Sequence, residues 1–314
     1  MFRNYREDDF GLMWRVEPIC QVLKEEYGVK ISPSGYYDFK ARPVSARRKR
    51  DEHLKPIISK IWEENYSCWG VQKTYKELLR KEEVVSRSAV ERLMKDIGIC
   101  GLSRNRRVRT TYAGKNATSV KDLVNRNFTS DAPNRLWVAD FTYVSTWEEM
   151  CYVAFITDVF ARKIIGWQVA SSMNQKLVAD AFKMAVYTRQ REGYHDFSDL
   201  IHHNDRGSQY TADDFLELLA RYGIHASIGS VGDSYDNALA ETMHGGYKTE
   251  LIYNPAKGPW KNLEYLTIET ARWVKWHNSS NITKYCNWHT PDEIEEMLYT
   301  TGEDRRKCPQ KLRA

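Results

Sequence analysis

The sequence lacks any long apolar segment. No run approaches the ~18 apolar residues that a membrane-spanning helix needs. The first residues, MFRNYREDDF, carry acids and no apolar stretch typical of a secretory signal. We therefore expect a soluble cytoplasmic protein with no membrane partner.

Cysteine is scarce, and several catalytic motifs are missing. The six cysteines among 314 residues are widely spaced, and no two form a C-x-x-C pair. This spacing argues against a disulfide framework and against a cysteine zinc site. The sequence contains neither G-x-x-x-x-G-K-[ST] nor G-x-S-x-G. This argues against a phosphate-binding loop and against the nucleophile elbow of hydrolases.

Charge is distributed unevenly along the chain. Residues 1–130 hold 27 Lys and Arg against 17 Asp and Glu, whereas residues 131–314 hold 20 against 25. A basic first part joined to a mildly acidic second part suggests a polyanion-binding region attached to a region with another task. The alternative is an ordinary solvated surface, which charge alone would favour.

The first part has the periodicity of short helices. We assign residues 1–45 to an N-terminal helical segment and residues 46–114 to a helix-turn-helix-like DNA-binding region. The stretches ISPSGYY and VSRSAVE both place S-x-S at a helix start, with Ser34 as one predicted cap and Ser88 with Glu91 as a predicted capping box. A small helical bundle fits this spacing equally well, and nearby cations tip the balance towards phosphate binding. These cations are Arg47, Arg48, Lys49, Arg50, Arg104, Arg106, Arg107 and Arg109.

The second part has the texture of a mixed α/β domain. Residues 115–130 are polar and are predicted to be a linker, residues 131–300 form the core with C-terminal helices, and residues 301–314 form an unassigned tail. Three β-branched and aromatic runs follow Pro133, and two further short strands alternate with helices. We expect a five-stranded mixed sheet with flanking helices, preceded by the small all-α region.

Three acids stand out in this core. Asp140 lies inside an apolar strand, where a lone carboxylate is costly to bury, and Asp205 ends the fourth strand. Glu241 lies on a later helix, with Asn237 and Lys248 predicted on the same side of it. Three converging carboxylates would repel one another without a cation. We expect them to bind Mg²⁺ or Mn²⁺, and two such ions would support phosphoryl displacement.

These residues also resemble a known family. NRLWVADFTYV, TDVFARKIIGW, HHNDRGSQYT and GDSYDNALAE with YKTEL resemble the integrase-like core of DDE transposases, and the match is to the second-reading-frame product of the insertion-sequence-three family. The 35 residues between Asp205 and Glu241 match the spacing in that family. The resemblance extends over nearly the whole chain, because VEPICQVL, YYDFKARP and AVERLMKDIGICGL are also similar to its N-terminal region.

The resemblance implies both a fold and an activity. It implies an RNase H-like core in which Asp140, Asp205 and Glu241 are catalytic metal ligands and Lys248 contacts the DNA end. The implied activity is metal-dependent cleavage and strand transfer at terminal inverted repeats, with target DNA as the second substrate. Expected partners are a second copy of the chain on DNA and an upstream-frame helix-turn-helix protein, free or fused, and the expected location is the nucleoid.

Other functions remain open at this stage. The glycines of HGG (residues 244–246) depart from the family pattern, and each costs a helix ~1 kcal/mol relative to alanine. The segment that carries Lys248 could therefore be loose. The alternative function is a catalytically impaired DNA-binding regulator, or an inhibitor, of transposition.

Overall fold

A computed structural model describes residues 6–7, 13–103, 120–205, 210, 212–229 and 238–300. The chain divides into two compact units, Met1–Pro56 and Ile57–Ala314. The predicted limit between residues 45 and 46 stays a prediction, since this division falls about ten residues later, inside a helix. The predicted tail (301–314) lies outside the described residues.

The first unit is built from short elements. Strands β1 (Arg6–Glu7) and β2 (Met13–Trp14) pair antiparallel and precede helices α1 (Val16–Tyr27) and α2 (Pro33–Ala41). The predicted cap of α2, Ser34, is wrong. Ser32 caps the helix instead, because its side chain accepts the Gly35 N–H and Pro33 then occupies the first helical position.

Helix α3 (Ala46–Glu64) begins with a run of charged residues. The charged run ARRKRDE is helical, since Arg and Lys are good helix formers despite their charge. Pro56 lies inside α3, where the missing N–H removes one helical hydrogen bond. The limit between the two compact units falls at this residue.

Two further helices complete the helical region in the second unit. They are α4 (Val71–Arg80) and α5 (Arg87–Asp96). The predicted capping box of Ser88 and Glu91 is wrong, because Ser86 is the cap and accepts the Ala89 N–H. The S-x-S similarity nevertheless has a structural counterpart. In both motifs the first serine caps the helix and its Oγ lies 3.1 Å from the Oγ of the second serine.

The sheet confirms the predicted five strands. Strand order is β5-β4-β3-β6-β7, with β3, β4 and β5 antiparallel and β6 and β7 parallel to β3. The strands are β3 (Leu136–Ser145), β4 (Met150–Asp158), β5 (Lys163–Ala170), β6 (Ile201–Asn204) and β7 (His225–Ile228). The flanking helices are α6 (Gln175–Arg191), α7 (Asp213–Arg221), α8 (Ala238–Tyr247), α9 (Leu263–Ser279) and α10 (Pro291–Thr300).

Helix α6 covers one face of the sheet. An apolar stripe of this helix, from Leu177 to Val186, is buried, with its side chains in a single core cluster. Gly166 in β5 allows the close approach of this helix, since a Cβ there would lie 2.3 Å from the Ala181 carbonyl oxygen. Among the described helices, none is long and apolar enough to span a membrane.

The segment predicted to be a linker is partly bound to the core. In its described portion, the Leu123 N–H donates to Ser227 Oγ on β7 at 2.9 Å, and Val124 is buried. Arg162 also donates to the carbonyl oxygen of Phe128 at 3.0 Å. Residues 120–130 therefore contact the core both at β7 and at the turn between β4 and β5.

The helical region of the second unit packs against the C-terminal helices of the core. Trp276 Nε1 on α9 donates to Asn65 Oδ1 at 3.0 Å in a buried contact. Arg80 on α4 donates to Glu293 on α10 and to the carbonyl oxygen of Trp288. These contacts join residues more than 200 positions apart, so the helices of residues 57–103 and the core share one packed structure.

A buried ion network links α6 and α10 to the sheet. The Arg189 side chain is fully buried and donates to Asp158 at 2.8 Å, to Glu295 at 2.7 Å and to Glu192 at 2.6 Å. Burial pushes the pKa of Glu295 upward, but the charges of Arg189 and Lys163 outweigh burial and lower it. Asp158 thus depends on the Arg189 guanidinium for neutralisation, whereas Glu295 and Glu192 also pair with Lys163.

Replacing Arg189 by methionine should strongly destabilise the protein. The substitution leaves the Asp158 carboxylate buried without its cation and Glu295 with Lys163 alone, which costs about 3–5 kcal/mol of unfolding free energy. Urea denaturation measures this loss. Arg191→Met, at an exposed position on the same helix, should stay within ~0.5 kcal/mol of the parent. Equal behaviour of the two variants would contradict the role given to Arg189.

The pairing of Glu293 with Arg80 should make stability depend on pH. Partial burial raises the pKa of Glu293, but the hydrogen bonds from Arg80 and the Thr290 N–H outweigh it and lower the pKa to about 2. A lowered carboxylate pKa stabilises the fold above the unfolded value, and this contribution is lost as pH falls towards the folded value. The urea midpoint should therefore fall between about pH 5 and pH 3 more steeply in the parent than in Glu293→Gln. Parallel pH profiles would refute this assignment.

Candidate active site

Two of the three predicted acids occupy neighbouring positions in the sheet. The parallel register of β3 and β6 ends with the pair Ala139 and Asn204. Asp140 and Asp205 are the residues that follow on each strand, so they lie side by side where β6 ends. Asp140 is half-buried and Asp205 is exposed. Their backbone positions thus lie together at the same edge of the sheet.

Tyr210 lies close to both acids. Its side chain is buried, stacks on Phe141 with ring centroids 6.3 Å apart, and has a hydroxyl without a hydrogen-bond partner among the described residues. Burial raises the pKa of Tyr210, and the negative charges of Asp140 and Asp205 raise it further. The phenol therefore stays neutral next to two carboxylates.

Glu241, the third predicted acid, lies on α8 and is half-buried like Asp140. The helix approaches β3 through His244, whose Nδ1 lies 3.2 Å from Asp140 Oδ2. Within the described parts of the chain, no three His, Cys, Asp or Glu side chains are close enough to hold one metal ion. The structure thus brings Asp140 and Asp205 together and does not assemble all three acids around one point.

His244 is the site residue that sequence reasoning missed. The sequence presents it only as part of the unusual HGG stretch, whereas in the structure it lies buried, three residues after Glu241. Two positions on one helical face, one acidic and one basic, are the signal that could have identified it.

Lys248 lies beside strand β3. The two glycines do not interrupt α8, and Lys248 begins a π-helical segment, Lys248–Ile252. Its Nζ lies 4.5 Å from the ring centroid of Tyr143, three residues beyond Asp140 on β3. Such π-helical insertions often occur at functional sites. The segment that carries Lys248 is thus helical with a local change of pitch, and its expected looseness stays a prediction.

The other predicted DNA-binding residues are only partly described. Arg47, Arg48, Lys49 and Arg50 are exposed and lie at the start of α3. Arg47 Nε lies 3.9 Å from Asp51, an ion pair within the helix. Arg104, Arg106, Arg107, Arg109 and Asn237 lie outside the described residues.

Comparison with protein families identifies the two regions. An integrase core domain model matches residues 130–234, and a second integrase core domain model matches residues 222–291. An HTH-like domain model matches residues 49–107. The sheet and these matches define the class of protein. It combines an integrase-type core with an HTH-like domain.

Relatives that match nearly the whole chain identify its family within this class. A Mycobacterium tuberculosis protein named as transposase for insertion sequence element IS986/IS6110 is 50% identical over 269 residues, which cover 86% of this chain and 96% of the relative. The transposase for insertion sequence element IS629 of Shigella sonnei is 41% identical over 300 residues, covering 91% and 98%. The chain belongs to the transposases of the insertion-sequence-three family.

Solved structures give weaker similarity. The simian T-cell lymphotropic virus intasome in complex with a PP2A regulatory subunit is 12% identical with a TM-score of 0.43, covering 76% of this chain and 74% of that one. The catalytic core of bovine immunodeficiency virus (BIV) integrase is 20% identical with a TM-score of 0.38, covering 55% and 99%.

The proximity of Asp140 and Asp205 can be tested without any ligand. Two adjacent carboxylates repel each other, so Asp205→Asn should raise the unfolding free energy of the metal-free protein by roughly 0.5–1 kcal/mol. Chemical denaturation in the presence of a chelator measures the change. A decrease in stability would show that the Asp205 charge is stabilised by its surroundings, against the arrangement described.

Proposed function

We propose that this chain is a DDE polynucleotidyl transferase that cleaves DNA at the terminal inverted repeats of an insertion sequence and joins the freed 3′ end to target DNA. The observation that supports this most directly is the side-by-side position of Asp140 and Asp205 at the end of β6. Membership in the transposase family supports the same reaction.

Asp140, Asp205 and Glu241 fit a divalent cation chemically. All three supply carboxylate oxygens, the ligands that Mg²⁺ and Mn²⁺ prefer, and two of them are neighbours in the sheet. Two ions, when bound, would activate the attacking oxygen and stabilise the leaving oxygen of a phosphodiester. Asp140 and Asp205 provide charge from the sheet, and Glu241 provides it from α8.

The remaining residues would hold DNA. Lys248, on the β3 side of the acids, is suited to a phosphate near the scissile bond, and Asn237 precedes Glu241 by about one turn. The exposed cations at the start of α3 are unfavourable for the helix dipole, and nearby phosphates would relieve that cost. Together with the cations of residues 104–109 they would hold the DNA backbone.

The active form would be an assembly on DNA in the nucleoid. We infer a homo-oligomer, with an upstream-frame helix-turn-helix protein as a further partner or as part of a fusion. In the second candidate function the chain binds terminal repeats without cleaving them and acts as a regulator. The HGG stretch after Glu241 is the observation that favours this alternative.

A cleavage assay separates the two functions. With Mg²⁺, the parent chain should nick one strand of a terminal-repeat oligonucleotide, and Asp205→Asn should reduce the rate by at least ~10³-fold, because it removes one carboxylate from the proposed metal site. Denaturing gel electrophoresis measures the product, and Asp199→Asn, an exposed acid paired with Arg135, serves as the control. DNA binding by both proteins with no cleavage by either would favour the regulator.

A further inference from the structure

A buried histidine connects the two secondary-structure elements that carry Asp140 and Glu241. His244 on α8 is 7% exposed, and its Nδ1 lies 3.2 Å from Oδ2 of Asp140 on β3. The other carboxylate oxygen, Oδ1, accepts the N–H of Phe141 at 2.8 Å. A carboxylate offers about four acceptor positions, so these two contacts orient Asp140 and leave room for further ligands.

The same contact restrains Glu241. His244 follows Glu241 by three residues, so both project from neighbouring positions on one side of α8. Tyr247, three residues further, is fully buried, and its ring centroid lies 5.0 Å from that of Phe155. Its hydroxyl forms a hydrogen bond of 2.8 Å with Thr270 Oγ1. The helix is therefore fixed to the sheet along this side, and the His244 contact sets the position of Glu241 relative to Asp140.

Packing alone does not account for a histidine at this position. His244 Nε2 is buried and has no hydrogen-bond partner among the described residues, while the ring lies 5.7 Å from that of Phe155. An unpaired buried polar atom costs roughly 1–3 kcal/mol, a cost that an apolar side chain would avoid. The benefit that offsets this cost lies on the Asp140 side of the ring.

We propose that His244 is a positioning residue of the active site. Through the 3.2 Å contact of its Nδ1 with Asp140 Oδ2, it orients the carboxylate and holds Glu241 on the same side of the sheet edge. This inference rests on the proposed function, since it assigns His244 to the same metal site. Partners that orient metal ligands typically contribute about 10–100-fold to metal affinity or activity.

Two variants of similar size test the contact between His244 Nδ1 and Asp140. In the full-length chain, His244→Asn keeps an N–H donor at nearly the position of Nδ1, whereas His244→Leu removes it. Mn²⁺ alone is the probe, titrated by electron paramagnetic resonance, with thermal denaturation of each protein alongside. His244→Leu should bind Mn²⁺ about 10–100-fold more weakly, and His244→Asn should recover most of the affinity.

The control is a second buried histidine. His277 on α9 is 4% exposed, and its Nε2 lies 3.1 Å from the carbonyl oxygen of Arg162. His277→Leu should lower thermal stability and leave Mn²⁺ affinity unchanged.

Parent-like Mn²⁺ binding by His244→Leu would overturn the inference. Equal losses in the leucine and asparagine variants would also overturn it, since they would indicate a structural role. If the parent chain bound no Mn²⁺, the proposed metal site would be refuted, and the inference about His244 with it. The expected pattern of affinities, together with a parent that cannot nick terminal-repeat DNA, would support the role of His244 and refute the proposed function instead.

Discussion

The parallel pairing of β3 with β6 is the constraint on which the rest of the site depends. β3 is the central strand of the sheet, and its register with β6 carries Asp140 and Asp205 to adjacent positions although 64 residues separate them. A shift of one residue would turn the side chains of β6 to the opposite face. His202 prevents such a shift, because it is fully buried among Phe182 and Phe215 on the face covered by α6.

The antiparallel strands and the parallel strands of this sheet differ in length and in what they contribute to the site. The antiparallel strands β3, β4 and β5 are long and are covered by α6, and the Arg189 network adds α10 beside them. The parallel strands β6 and β7 have four residues each. Short strands leave Asp205 exposed at the end of β6, where a ligand can reach it. The long antiparallel strands thus hold Asp140 in a fixed frame, and the short strand β6 presents Asp205 to solvent.

Much of this arrangement could be predicted from the sequence, and the failures have physical causes. The five strands and the buried stripe of α6 follow from hydrophobic periodicity, which burial enforces directly. The caps of α2 and α5 were misplaced because S-x-S offers two serines with the same chemistry, and only the backbone conformation selects the first. The contact of His244 with Asp140 depends on how α8 packs against β3, and no local pattern encodes a pairing across 104 residues.

The position of the third acid differs in kind from that of the first two. Asp140 lies within a paired strand and Asp205 directly follows one, whereas Glu241 depends on side-chain contacts between α8 and the sheet. A helix fixed by side chains can shift by small rotations that a paired strand cannot make. The three acids are not gathered around one point in the described chain, and carboxylates that repel one another have no reason to gather without a cation. Binding of a divalent ion would offset that repulsion, so completion of the site is tied to the helix that carries Glu241 and His244 together.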